Sequence, residues 1–150
     1  GAVMHGDPSE CTYTLTVPST HPFASTRPSE SYRTLHGVVA EALGDAGIEA
    51  ILVKEGTPNL GAACFQHPVP GDVVLPSGQK VAGAAQRRTR HGLLIQGSIR
   101  LPNPIPSALP LALIQRFGAR AVAAPDLASS AIQDLVERKY GQAAWLHRVP

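Results

Sequence analysis

Residues 64–101 of the chain read CFQHPVPGDVVLPSGQKVAGAAQRRTRHGLLIQGSIRL, and this stretch decides the fold. Runs of apolar and small residues alternate here with turn residues, which is typical of short consecutive strands. The pattern predicts three strands, over 73–75, 79–86 and 93–101. A Pro-Ser-Gly turn at 76–78 and a basic connection at 87–92 join them. Because turns this short cannot hold parallel crossovers, the sheet is expected to be largely antiparallel.

Upstream of this stretch, the sequence predicts a strand, a long helix and a second strand. Apolar residues alternate with three threonines over 11–17, a period typical of a strand with one buried face, and Cys11 falls on that face. A spacing of three and four residues over about 28–46 predicts an amphipathic helix, with Pro28 in its first turn and Gly47 after its end. The second strand is expected over 50–53.

Downstream, a proline-rich crossing leads to a short apolar helix at about 111–117, stopped by Gly118. A last helix is expected to be capped by Asp126 or Ser129 and ended by Gly141. The sequence contains no internal repeat and no domain boundary. These features predict one domain over 1–150 with an α+β fold, in which helices flank a mostly antiparallel sheet.

The composition limits the class of protein. Hydrophobic residues make up 43% of the 150 residues and charged residues 16%, a balance typical of a globular domain. The formal charge of +2 is too small to indicate a nucleic-acid partner, and no apolar run approaches the roughly 18 residues of a membrane span. Two cysteines do not make a disulfide framework. We therefore expect a cytoplasmic protein with reduced thiols.

Cys64 lies in a loop ahead of a proline-punctuated turn, and two interpretations remain open for it. It is either a small apolar residue at the sheet edge or a nucleophile. A free thiol titrates near pKa ~8.5, so a nucleophilic thiolate needs a nearby cation or base. Lys80 is the candidate cation and His67 the candidate base.

Lys80 lies between Gly78 and Gly83 in a predicted strand, and it also has two interpretations. It is either a solvated strand lysine or a cation held at a site. A glycine in a strand often marks the close approach of a ligand or of another backbone, which favours the second interpretation. A lysine held in this way can neutralise a carboxylate, a phosphate or an oxyanion.

Other polar residues give weaker indications. Cys64 and His67 lack a second Cys/His pair at ligand spacing, so no metal is expected. The run Arg87, Arg88, Arg90 and His91 is interpreted as a solvated turn or as a docking point for an acidic partner. No aromatic residues interleave with it, so nucleic-acid binding is not expected.

The residues Gly-Gln-Lys-Val-Ala-Gly-Ala-Ala-Gln-Arg-Arg at 78–88 and Leu-Leu-Ile-Gln-Gly-Ser-Ile at 93–99 resemble the lipoate–protein ligase, octanoyltransferase and biotin–protein ligase superfamily. The superfamily's pattern has an essential lysine followed by Ile or Val, a small residue and Gly, and later a His/Gln-Gly-Ser/Thr element. The opening Gly1-Ala2-Val3-Met4-His5 is similar to the end of its Arg-Arg…Gly-Gly-Gly-Ala-Val-x-His motif. The resemblance implies the catalytic-domain fold of that superfamily.

Cys64, sixteen residues ahead of Lys80, resembles the nucleophile of the cysteine-dependent octanoyltransferase branch. That branch implies an acyl thioester on Cys64, whose pKa Lys80 lowers. It also implies transfer of an octanoyl or lipoyl group, without a cofactor, from acyl carrier protein to a lysine of a lipoyl domain or of the glycine-cleavage H protein. The substrate-binding residues that the resemblance implies are Ala2, Val3, His5, Gly83, Ala84, Ala85, Gly97 and Ser98.

Two other functions stay open at this point. An ATP-dependent lipoate–protein ligase would use Lys80 on an acyl-adenylate and leave Cys64 incidental. A catalytically inactive, truncated homologue would only bind an acyl chain or a lipoyl domain. The aspartate that follows the motif's histidine is replaced here by Gly6, and the motif's arginine pair has no counterpart. We therefore expect a domain truncated at its N-terminus, with the missing strands supplied by a second chain or lost in a fragment.

Overall fold

The computed structural model describes residues 8–54, 68–120 and 129–142. By its contacts the chain divides into two compact units, Gly1–Ala119 and Arg120–Pro150. The first unit contains the sheet, and the second contains a helix over Ser129–Leu135 that continues as a π-helical segment over Val136–Tyr140. The expectation of one catalytic domain over 1–150 stays a prediction.

The first unit is built on a five-stranded sheet. Its strands in chain order are β1 (Glu10–Pro18), β2 (Ile51–Leu52), β3 (Val73–Val74), β4 (Lys80–Thr89) and β5 (Gly92–Arg100). The spatial order is β1-β5-β4-β3-β2, and every neighbouring pair is antiparallel. The predicted α+β fold with a mostly antiparallel sheet is therefore confirmed.

Two helices and a 3₁₀ turn complete the first unit. The 3₁₀ turn spans Pro22–Ser25, α1 spans Pro28–Asp45 and α2 spans Leu109–Arg116. No helix of the described ranges is long and apolar enough to cross a membrane. Helix α2 begins at Leu109, two residues before the predicted start at about 111. Leu109 is fully buried in the core, and the prediction left it out because it counted apolar residues only from 111 onward.

Helix α1 follows the sequence pattern closely. Pro28 occupies its first turn, where the missing N–H costs no hydrogen bond. Gly47 has a φ of +81°, a left-handed conformation that ends a helix readily only in glycine. Leu35, Val39 and Leu43 recur at four-residue spacing and are buried against the sheet. Burying such side chains is the main favourable contribution to the stability of the unit.

The strand register puts alternate residues of β1, β5 and β4 on the face that packs against α1. Leu15 lies opposite Ile95, and Ile95 lies opposite Gln86. Cys11 belongs to this face, as predicted, and is half-buried against the core. The opposite face carries the exposed threonines of β1. The main core cluster, between the sheet and helices α1 and α2, includes Val39, Val73, Val81, Ile99 and Leu109.

The basic connection predicted at 87–92 is shorter than expected. Strand β4 continues through Arg87 and Arg88 to Thr89, and only Arg90 and His91 form the turn. The prediction was wrong because arginine was taken as a turn residue. Arg88 instead donates to Ala24 O of the 3₁₀ turn at 2.5 Å and to Ser31 Oγ of α1 at 2.7 Å.

Candidate functional site

Lys80 is the first residue of β4 and lies opposite Val74 of β3. Its side chain is only 8% exposed, and its Nζ lies 2.8 Å from Oδ2 of Asp72, a side chain with no exposure. Burying either charge without the other would be strongly unfavourable, so the two side chains depend on each other. Lys80 is therefore a held cation rather than a solvated strand lysine.

Asp72 receives hydrogen bonds on both carboxylate oxygens. The Tyr32 hydroxyl donates to Oδ1 at 2.6 Å, and the backbone N–H of Val69 donates to Oδ2 at 2.8 Å. A buried carboxylate needs several donors to offset its lost hydration, and here they come from α1, from the 68–72 loop and from β4. This arrangement fixes the place of the carboxylate and, through it, the place of the Lys80 ammonium.

Tyr32 links helix α1 to both the loop and the strand. Besides donating to Asp72, its hydroxyl oxygen accepts the backbone N–H of Ala84 at 3.4 Å. Burial, and then the hydrogen bond to Asp72, raise the pKa of Tyr32 far above its ordinary value. Tyr32 therefore keeps its proton at neutral pH and remains a donor to the carboxylate.

His36 supports the same loop one helical turn further along α1. Its Nδ1 lies 2.7 Å from the carbonyl oxygen of Gly71, and its ring packs edge-on against Tyr32 with centroids 4.2 Å apart. A carbonyl only accepts, so Nδ1 carries the proton. Burial lowers the pKa of His36, which keeps the ring neutral. Nε2 is buried and has no hydrogen-bond partner in the part of the chain that the structure describes.

Two glycines make room for this arrangement. Gly71 has a φ of +93°, and a Cβ there would lie 3.0 Å from Cδ1 of Tyr32. A Cβ on Gly83 would lie 3.1 Å from Cε and 3.3 Å from Nζ of Lys80. The sequence predicts a close approach at this glycine, and the group that approaches in the structure is the Lys80 side chain itself.

The other predicted substrate-binding residues of β4 and β5 have different surroundings in the structure. Ala84 lies beside the Tyr32 hydroxyl, and Gly97 is its partner on β5. A Cβ on Gly97 would meet the ring of Tyr13, so the side of Gly97 that faces α1 is filled. Ser98 donates to Glu10, and Ala85 is exposed. Gly83 therefore lies against the Lys80 side chain, and Ala84 contacts the Tyr32 hydroxyl that donates to Asp72.

Five of the candidate site residues lie outside the described residues, namely Ala2, Val3, His5, Cys64 and His67, as does the candidate helix cap Asp126. The approach of Cys64 to Lys80 and the substrate contacts of the opening residues accordingly stay predictions. Within the described ranges, no group of three or more His, Cys, Asp or Glu side chains is placed to hold a metal ion.

The comparison with known families decides where the chain belongs. Residues 1–102 match the Biotin/lipoate A/B protein ligase family, a range that includes Lys80 and all the residues that hold it. The chain belongs to that family.

The chain spans only part of the length of the relatives that it matches. An octanoyltransferase LipM from Kyrpidia tusciae is 35% identical over 107 residues, which cover 67% of the chain and 38% of that relative. A solved Thermoplasma acidophilum protein described as a lipoate protein ligase aligns with 93% of the chain and 65% of its own length, at 14% identity and a TM-score of 0.67. A second Thermoplasma acidophilum structure, described as a bipartite lipoate protein ligase and its E2 lipoyl domain, aligns with 97% of the chain and 66% of its own length, at 15% identity and a TM-score of 0.59. At these identities the solved structures show a shared fold.

Sequence reasoning missed three members of the ligase-family site, namely Tyr32, His36 and Asp72. The sequence pattern predicts only that Tyr32 and His36 belong to an amphipathic helix and that Asp72 is a turn residue after a glycine. The one available signal was the Gly-Asp pair directly before the apolar Val73-Val74 run, because a carboxylate next to a buried strand needs a partner. The strand pairing that supplies Lys80 as this partner could not be read from spacing alone.

Proposed function

We propose that the chain is part of an octanoyltransferase of protein lipoylation. The octanoyltransferase relative at 35% identity carries the proposal, since the solved neighbours share only the fold. The buried Lys80–Asp72 pair supports it, because a lysine held at a fixed place in a family of acyl-transferring proteins is suited to stabilise charge on a reacting group. The substrates proposed here are an octanoyl thioester of acyl carrier protein and a lysine of a lipoyl domain or of the glycine-cleavage H protein.

The proposed reaction has two steps. In the first, the Cys64 thiolate attacks the thioester carbonyl, a new carbon–sulfur bond forms, and the bond to the carrier sulfur breaks. The carrier leaves as its thiolate and takes up a proton. In the second, the amine of the target lysine attacks the S-octanoyl carbonyl, the amide forms, and Cys64 is released with a proton from the amine.

Lys80 supplies positive charge to these steps, and Asp72 fixes its position. A cation beside Cys64 would raise the thiolate fraction of a group whose free pKa is about 8.5. The carbonyl oxygen also gains negative charge in each step, and the backbone N–H groups near Gly83 are the proposed donors to it, since the Ala84 N–H already donates to Tyr32 and Gly97 lies between two paired strands. Because the donor is already a thioester, the transfer needs neither ATP nor a metal.

The proposal also covers residues that the chain does not contain. The chain spans 38% of the octanoyltransferase it matches. We propose that additional residues of the longer protein, or a second chain, complete the acyl site. The cytoplasm is the proposed location, as the sequence analysis expects.

A transfer assay tests the function. We expect the protein to octanoylate a lipoyl domain from octanoyl–acyl carrier protein without ATP, and Cys64→Ala to abolish the transfer. Cys11→Ala is the matched control, since it removes the other cysteine and should transfer normally. Activity that needs ATP and free octanoate or lipoate would instead support a ligase. Binding of the lipoyl domain without turnover would support an inactive homologue.

A further inference from the structure

Positive charge is concentrated at one end of the first unit. Segments 18–31 and 86–92 together contain four arginines (Arg27, Arg87, Arg88 and Arg90) and one acid (Glu30), a net charge of 4 − 1 = +3. The whole chain carries only +2, so the other residues together carry −1. This end of the unit is therefore distinctly basic, although the total charge is nearly balanced.

The two segments lie side by side in the structure. The backbone N–H of Ser19 donates to His91 O at 3.1 Å, which joins the end of β1 to the β4–β5 turn. Gln86 Nε2 donates to Pro28 O at 2.7 Å, which joins β4 to the first turn of α1. We call this surface the basic end. Its exposed arginines and histidines are His21, Arg27, Arg87, Arg90 and His91, and its exposed acid is Glu30.

Arg88 adds a positive charge beneath the basic end. Its guanidinium donates to Ala24 O, to Ser31 Oγ and to Gln86 Oε1 at 3.1 Å, and each of these acceptors is a neutral oxygen. The N-terminus of α1, which carries the positive end of the helix dipole, lies at the same place. The positive potential of the exposed arginines is therefore reinforced from below.

We propose that the basic end docks the acidic face of the acyl carrier protein that donates the octanoyl group, an inference that rests on the proposed function. Lys80 begins β4 and Arg87 lies seven residues further along it, so this exposed arginine lies about 23 Å along the strand from Lys80 at about 3.3 Å per residue. A partner docked at that distance needs a long flexible arm to bring its reactive group to Lys80. A carrier that presents its thioester on a prosthetic arm meets this need, whereas an acceptor lysine on a rigid domain has to approach the site directly.

Kinetics with two donors test the proposal. In the double variant Arg87→Glu/Arg90→Glu, KM for octanoyl–acyl carrier protein should rise about tenfold, and added salt should weaken the wild type more than the variant. The rate with the small neutral donor octanoyl-N-acetylcysteamine should not change. The control Arg120→Glu/Arg138→Glu makes the same change in net charge within the second unit, and its KM for the carrier should match that of the wild type.

A binding measurement tests the docking proposal separately from the proposed function, because it does not depend on turnover. Holo-acyl carrier protein titrated at low salt should bind the wild type and lose about tenfold in affinity to the Arg87/Arg90 variant, whether or not turnover is seen. Equal binding of carrier by both proteins, or none by the wild type, would overturn the docking proposal. A defect confined to transfer onto the lipoyl domain would also overturn it. If the wild type turns over neither octanoyl–acyl carrier protein nor octanoyl-N-acetylcysteamine, that result counts against the proposed function and not against the docking proposal.

Discussion

The Nζ of Lys80 and the Oδ2 of Asp72 lie 2.8 Å apart, at a place where the lysine is 8% exposed and the carboxylate is not exposed at all. Seven residues separate them in the sequence, and the turn between β3 and β4 brings them together. The carboxylate also accepts from Tyr32 and from the Val69 amide. The Lys80 ammonium is therefore held by a carboxylate that precedes it in the chain.

Replacing Asp72 by Asn should damage both stability and activity. The substitution leaves the buried Lys80 ammonium facing a neutral amide, and breaking a buried pair in this way costs about 3–5 kcal/mol. Urea unfolding of Asp72→Asn against the wild type measures this cost. The Lys80→Met/Asp72→Leu double variant, which removes both charges, should recover part of the stability and none of the activity. Equal unfolding free energies for Asp72→Asn and the wild type would show that the pair does not form in solution.

Replacing Gly83 by Ala should reduce activity while the fold is kept. The added Cβ would lie 3.1 Å from Cε of Lys80, and the flexible end of that side chain can move away from it. A displacement of about 1 Å in a positioning group can lower the rate on the order of 100-fold. The measurement is the transfer rate together with the urea midpoint.

Gly44→Ala is the matched control for this substitution. A Cβ on Gly44 would meet nothing within 4 Å, so the change should leave the rate unaltered and stabilise α1 by roughly 0.5–1 kcal/mol. If both glycine variants keep the wild-type rate, the space left by Gly83 has no role in placing Lys80.

The stability of the protein should fall in mild acid because of His36. Burial lowers the pKa of His36 below its ordinary value of 6.5, and the neighbouring Asp72 and Lys80 act on it in opposite directions. Below pH 6.5 the unfolded chain takes up a proton that the folded chain refuses. The contribution of His36 is therefore complete above that pH and is lost as the pH falls, by at most about 1.4 kcal/mol per pH unit.

Paired unfolding measurements isolate this effect. We expect His36→Gln, which keeps a donor for Gly71 O, to lose less free energy of unfolding than the wild type between pH 7.5 and pH 5.5. The other histidines are present in both proteins, so their contributions cancel in the difference. Parallel pH profiles for the two proteins would mean that His36 is not buried as a neutral ring.

Much of the fold could be predicted from the sequence because its signals are local. The alternation over 11–17, the helical spacing behind Pro28 and the left-handed Gly47 each report the conformation of neighbouring residues. The extent of β4 could not be predicted in the same way. Arg87 and Arg88 were predicted to be turn residues, and Arg88 gains its acceptors only when the 3₁₀ turn and α1 pack beside the strand.

The candidate site shows the same limit. Lys80 could be identified from its Gly-Gln-Lys-Val-Ala-Gly context and from the resemblance. Its partners could not, because Tyr32 and Asp72 are separated by forty residues and meet only when helix and sheet pack together. The contact between Tyr32 and Asp72 depends on tertiary packing, which no local sequence pattern indicates. Gly83 was predicted to mark the close approach of a ligand or of another backbone. In the structure its missing side chain makes room for Lys80, and the approach of a ligand stays a prediction.

The most direct test of the proposed function is the intact mass of the protein after incubation with octanoyl–acyl carrier protein. Wild type and Cys11→Ala should each gain one octanoyl group, and Cys64→Ala should gain none and should not transfer octanoate to a lipoyl domain. A Cys64→Ala protein that transfers at the wild-type rate, or a wild type that modifies the lipoyl domain without ever carrying the acyl group, would contradict the account.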